Sequence, residues 1–93
     1  MAYGYFVEGL SMTTGAQIRS ARHALKVSVE KLSELSDVSV RTIKRMETDN
    51  GVPNSNAPNI AAVKAALEAA GIEFIGTPDD GPGIRIRAPK ALG

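Results

Sequence analysis

The sequence predicts a mainly α fold, four to five helices followed by a two-stranded β-hairpin. Three observations predict it. Apolar residues recur at three- and four-residue spacing between Thr14 and Gly71, the period of a half-buried helix. A residue suited to capping, Thr14, Ser28, Ser39 or Asn56, stands at the head of each such run. After Gly71 the period changes to two, in "IEFI" and "GIRIR". A chain of 93 residues is expected to form one domain with a modest core.

The first helix is read in "TTGAQIRSARHAL". Thr14 and Gln17 have the T-x-x-Q spacing of a capping box, in which each side chain satisfies a backbone N–H of the first turn. Ile18, Ala21 and Leu25 follow on one face. Ser28 caps a second helix, "VEKLSELS", with Leu32 and Leu35 predicted to face inward. "SDVS" interrupts, because Asp accepts a left-handed backbone better than most residues. Ser39 then caps a third helix over about 40–48. Ile43 and Met46 are assigned to its core side, with Val38 just before it. Arg41, Lys44 and Arg45 remain on its other side.

"DNGVPNSNAPN" is a loop by its turn-forming residues. Asn56 caps the fourth helix, Pro58 stands in its first turn, and Ile60, Val63 and Leu67 are its buried face. Gly71 is expected to end it. In the hairpin, Ile72, Phe74, Ile84 and Ile86 are expected to share one face, and Glu73, Arg85 and Arg87 the other. Eight residues, "GTPDDGPG", are read as its loop. An isolated two-stranded hairpin is marginal in water, so it must pack on the helices or on a second subunit.

Composition excludes several classes. The chain has no cysteine and one histidine, His23, so neither a disulfide framework nor a thiolate or multi-histidine metal site is expected. No apolar run approaches the length of a membrane span, and "MAYGYFVEGL" lacks the pattern of a secretion signal. A cytoplasmic protein is the expectation. Net charge is only +1, but it is unevenly spread. Residues 17 to 48 hold seven cations against four anions, and the flanks on either side are each −1. A local excess of this kind favours a polyanion.

Two short helices joined by a tight turn, the second cationic and capped by Ser39, describe a helix-turn-helix. The second helix of such a pair lies in the major groove, which admits one α-helix. Ser39 and Thr42 are placed to bond phosphates, as are the backbone N–H groups at the second helix start near Ser28 and Val29. Double-stranded DNA is the expected partner.

At this point the sequence resembles a known family. "IRSAR", "VSVEKLSELSDVS", "TIKRME" and "NIAAVKAAL" resemble the lambda-repressor-like, Cro-type (XRE) helix-turn-helix regulators of phages and bacteria. The match runs from Gln17 to Leu67. With the tail "ALEAAGIEFIG" to "GPGIRIR", similar to an extension on small bacterial members, it covers about residues 12 to 87. The resemblance implies a lambda-repressor-like domain at 12–71. It places the base-reading positions on Val40, Arg41, Lys44 and Arg45. It also implies a salt bridge between Arg22, late in the first helix, and Glu47, ending the recognition helix. Two departures stand out. The family often has Gln where this chain has Val29, and Gly where it has Asp37.

Residues 72–87 are assigned to the hairpin, and 88–93 to a tail. Exposed edge strands invite pairing, so Ile72, Phe74, Ile84 and Ile86 are the expected homodimer interface. Residues 1–11 are either an upstream extension, since similar proteins begin near Met12, or a segment that packs on the hairpin or on a second subunit. No enzyme is expected. His23 stands beside Arg22 without a nucleophile, and Asp79 and Asp80 are what a hairpin loop uses. No cofactor or metal is implied. The expected function is a sequence-specific transcription regulator, a homodimeric repressor on an inverted-repeat operator. The alternatives are an antitoxin that represses its own operon and binds a toxin, or a protein-interaction module.

Overall fold

The computed structural model describes residues 13 to 87. The readings on residues 1–11, Met12 and the 88–93 tail lie outside them. The described chain forms four helices, α1 (Gly15–Leu25), α2 (Val29–Ser36), α3 (Val40–Thr48) and α4 (Ala57–Ala69), then β1 (Ile72–Thr77) and β2 (Asp80–Ile86).

Each helix starts where a side-chain oxygen is available. The Thr14 hydroxyl accepts from the Gln17 N–H at 3.1 Å, and the Gln17 side chain accepts from the Thr14 N–H at 2.9 Å, closing the capping box. Ser28, Ser39 and Asn56 accept from the N–H groups of Lys31, Thr42 and Asn59. An N-cap of this kind stabilises a helix by about 1 kcal/mol. A cap of this kind stands at all four helix starts.

The core is one cluster. Ile18 and Ala21 of α1, Leu32 of α2, Val38, Ile43 and Met46 around α3, Ile60, Val63 and Leu67 of α4, and Ile72 of β1 are buried together. Helix α1 packs on α3, α2 on both α3 and α4, and the hairpin closes the open side through α1 and α4. Leu35 departs from expectation and is 51 % exposed. In a two-turn helix the buried stripe is one residue wide per turn. Here it passes through Leu32 and Ser36, whose hydroxyl donates back to the Leu32 carbonyl at 2.7 Å.

Gly15 sits where α1 starts and the chain after α3 passes. Its N–H donates to the Gly51 carbonyl at 2.8 Å. A Cβ there would stand 1.9 Å from the Asp49 carbonyl oxygen and 2.1 Å from that of Met46. Both obstacles are backbone, so neither can rotate away. Gly15→Ala is expected to lower stability by about 2–3 kcal/mol, the upper part of the range for overpacking, as read by urea denaturation.

The hairpin corrects the sequence reading in two ways. Its connection is not eight residues long. Thr77 pairs with Asp80, so only Pro78 and Asp79 lie between the strands, and a bulge interrupts the register between Ile75 and Thr77. Gly76 makes this arrangement fit, at φ +76°, since a Cβ on it would stand 2.1 Å from the Gly81 carbonyl oxygen. The second correction concerns the face. Ile72 pairs with Ile86 and Phe74 with Ile84, so the four do share a face. However, Ile72 is buried in the chain's own core, and Phe74 and Ile84 pack against that core. Ile72 is thus unavailable to a partner. Of the four predicted interface residues only Ile86, 59 % exposed, is a large apolar side chain open to solvent. On the opposite face Glu73 pairs with Arg85 at 3.0 Å and Arg87 at 2.9 Å.

Candidate nucleic-acid interface

Helix α3 has two faces of opposite character. Ile43, Met46 and Glu47, at i, i+3 and i+4, are buried. Arg41, Lys44 and Arg45, also at i, i+3 and i+4, are exposed. The two triplets are displaced by two residues, about 200° around the helix, which puts them on opposite sides. None of the three cations takes part in the five ion pairs among the described residues. Val40 and Thr42 are half-buried and flank the cationic face. The structure therefore brings Val40, Arg41, Lys44 and Arg45 together along one side of α3.

The polar residues at the helix starts divide their hydrogen bonds. The Ser39 hydroxyl accepts from the Thr42 N–H at 3.1 Å and donates to the Thr42 hydroxyl at 2.9 Å. The O–H of Thr42 is left to donate outward. At the start of α2, exposed Ser28 accepts from the Lys31 N–H at 3.0 Å. The N–H groups of the first turn have no carbonyl partner within the helix, as at any helix start. Val29, where a glutamine was expected by resemblance, packs partly buried against the core. Its side chain serves packing, and only its backbone N–H faces outward chemistry.

Two arginines of α1 grip α3 from behind. Arg22 Nε donates to Glu47 Oε2 at 2.7 Å and its Nη2 to Oε1 at 2.9 Å, a two-pronged ion pair. The side chains are only 15 % and 9 % exposed. The remaining guanidinium N–H groups reach the Val27 carbonyl at 3.1 Å and His23 Nε2 at 3.2 Å. Because arginine only donates, that histidine nitrogen is the acceptor. The hydrogen bonds with Glu47 hold the Arg22 pKa above its ordinary value. Burial opposes them, while the charges of Glu47 and Glu30 add to them.

Arg19 was not singled out from the sequence. It donates to the Glu47 carbonyl and, at 3.0 Å, to Asn50 Oδ1. It thereby satisfies a carbonyl left open at the C-terminus of α3. Its only sequence signal is its spacing from Arg22, three residues, which puts both on one face of α1.

The turn between α2 and α3 carries the second departure. Asp37 adopts the left-handed conformation, φ +61°, and its N–H donates to the Ser33 carbonyl at 2.8 Å. A side chain is tolerated there at a cost. Asp37→Gly is expected to raise stability by about 0.5–1 kcal/mol, seen as a higher Tm. An unchanged or lower Tm would mean that the Asp37 carboxylate stabilises the turn.

Among the described residues, no group of three His, Cys, Asp or Glu side chains is placed to hold a metal ion. No helix among them is long and apolar enough to cross a membrane. Asp79 and Asp80 are both exposed at the hairpin end. Comparisons with protein-family models, curated proteins and solved structures found no match to this chain.

Proposed function

We propose that the protein is a sequence-specific DNA-binding regulator of the helix-turn-helix kind, with α2 bracing the duplex backbone and α3 entering the major groove. One observation carries this reading. Helix α3 presents Arg41, Lys44 and Arg45 on one exposed face with no counter-ion among the described residues. Like charges four residues apart on a helix repel by a few tenths of a kcal/mol. A helix serving only the core gains nothing from that cost, whereas one that binds a polyanion recovers it.

The chemistry follows from the residue types. An arginine can donate two hydrogen bonds to guanine O6 and N7, the commonest specific base contact. Arg41 and Arg45 are the candidates. Lys44 supplies a point charge, and half-buried Val40 can meet a thymine methyl. Ser28, Thr42 and the first-turn N–H groups at Val29 suit phosphate oxygens, which fix register without reading sequence. Repression by occupying an operator needs nothing further. Two copies on a twofold axis would set their α3 helices about 34–36 Å apart, one turn of duplex.

The test is selection from a random duplex library in about 150 mM salt, where the non-specific phosphate contribution is suppressed. Enrichment of an inverted repeat is the expected result. Recovery of unenriched library, with binding that falls steeply with salt, would leave only non-specific attraction and defeat the reading.

A further inference from the structure

Lys26 ends α1 with φ +59°, in the left-handed region. The other described residues in that region are Gly71, Gly76, Gly81 and Asp37. Glycine adopts a left-handed backbone at no steric cost, and aspartate is helped there by a short polar side chain that can hydrogen-bond locally. Lysine has neither advantage. Its backbone is nevertheless held firmly. The Lys26 N–H donates to the Arg22 and His23 carbonyls, and the Val27 N–H donates to the Arg22 carbonyl at 3.1 Å. Arg22 Nη1 donates in return to the Val27 carbonyl at 3.1 Å. Arg22 is also the residue that grips Glu47 of α3. The backbone at Lys26 is thus tied to the same side chain that ties α1 to α3.

The Lys26 side chain is exposed and makes no hydrogen bond or ion pair among the described residues. Lys31, the next cation along the chain, is paired with Glu34 at 3.6 Å. Lys26 stands two residues before Ser28, the exposed cap of α2, a separation of at most about 7 Å. A flexible four-carbon lysine stem spans much of that distance. Glu30, in the first turn of α2, makes this edge less favourable to an anion. Lys26 supplies the opposite charge beside it.

We infer that Lys26 binds a backbone phosphate of the duplex, next to the strand that α2 braces. The inference rests on the DNA-binding reading above and extends the interface from α3 to the end of α1. A cation in this place also favours the dipole of α1. That second effect is confined to stability, so binding separates the two roles. Glycine would serve the left-handed turn with less backbone cost. The lysine is useful beyond the dipole only if its charge meets something outside the chain, and a phosphate is the anion that the neighbouring cationic face of α3 already suits.

Lys26→Gly keeps the turn and removes the charge. Should it fail to fold, Lys26→Asn supplies the same comparison, since asparagine also accepts a left-handed backbone. Affinity is read by fluorescence anisotropy over a salt series, on the duplex enriched by selection and on an unrelated duplex of equal length. Loss of one phosphate contact should weaken binding about 5-fold at about 150 mM salt and reduce the slope of log affinity against log salt by about 0.9. Both duplexes should lose alike, because phosphates carry no sequence information. Lys26→Arg keeps the charge and should stay within about twofold of wild type. Arg87→Gln removes an equal charge from the hairpin and should leave the slope unchanged. Wild-type affinity and slope in the Lys26 variant overturn the inference. So does an equal loss in Arg87→Gln, which would trace the effect to net charge. A loss confined to the enriched duplex would make Lys26 a base-reading residue and overturn it as well. Wild type that binds neither duplex defeats the DNA-binding reading itself, and this inference with it.

Discussion

Glu47→Ala is expected to lower the unfolding free energy by about 3–5 kcal/mol, the usual result of removing one partner from a buried ion pair. The reason lies in what remains. Arg22 would keep its charge, and its Nε and Nη2 would lose acceptors 2.7 and 2.9 Å away in a site only 15 % exposed. A chain of this size has about 5–15 kcal/mol of total stability, so the loss is a large share of it. Chemical denaturation of the variant, with circular dichroism as the readout, checks the figure. Glu47→Gln keeps the shape and one acceptor oxygen and should fall between wild type and alanine. Arg22→Lys should not rescue, because a lysine cannot reproduce the two-pronged geometry. The double variant Arg22→Ala, Glu47→Ala should be less damaged than the sum of the two, since it buries no orphan charge. A sum that is simply additive would mean the pair is not coupled.

The sign of the pH dependence follows from the same contact. Arg22 is held above its ordinary pKa in the folded protein. Its contribution is therefore fully present below the ordinary arginine range and is lost only as pH climbs through the raised value. Arg22 adds no slope to stability near neutral pH.

The parts of the fold legible in the sequence are those decided within a few residues. Thr14, Ser28, Ser39 and Asn56 each cap the helix they were expected to cap, because capping needs only a side-chain oxygen and the next turn's N–H groups. The two faces of α3 were legible for the same reason, since helical spacing alone separates Ile43 and Met46 from Arg41, Lys44 and Arg45. What failed depended on distant partners. Leu35 satisfied the period as well as Leu32 did, but the position of α2 on α4 selects only one of them. Gly76 and Gly81 read as loop residues, yet their positive φ lets the strands run on through a bulge to a two-residue turn. Ile72 looked free for a second subunit because nothing local reveals that α4 covers it. Gln17 was read as half of a capping box. Its second role, binding carbonyls 58 and 66 residues away, has no local signature.

The cationic face allows a sharper test of function than stability can give. Arg41→Ala and Arg45→Ala are each expected to leave Tm within a degree or two of wild type, since both side chains are exposed and unpaired among the described residues. Removing one of two repelling charges can even stabilise α3 slightly. Binding to a selected duplex should respond very differently. Loss of a two-pronged arginine–guanine contact removes about 1–3 kcal/mol of discrimination, roughly 5- to 150-fold, at one base position. The loss should therefore be confined to one position of the half-site for each arginine. Thr42→Val, which removes a phosphate donor, should instead weaken all sequences alike. Fluorescence anisotropy on a panel of single-base operator variants separates the two patterns. A uniform loss for Arg41 and Arg45 across the whole panel would make them phosphate contacts and move base reading elsewhere on α3. Equal affinity for every variant before any mutation would remove sequence reading itself. The exposed cations of α3 would then serve an acidic protein surface rather than a base pair.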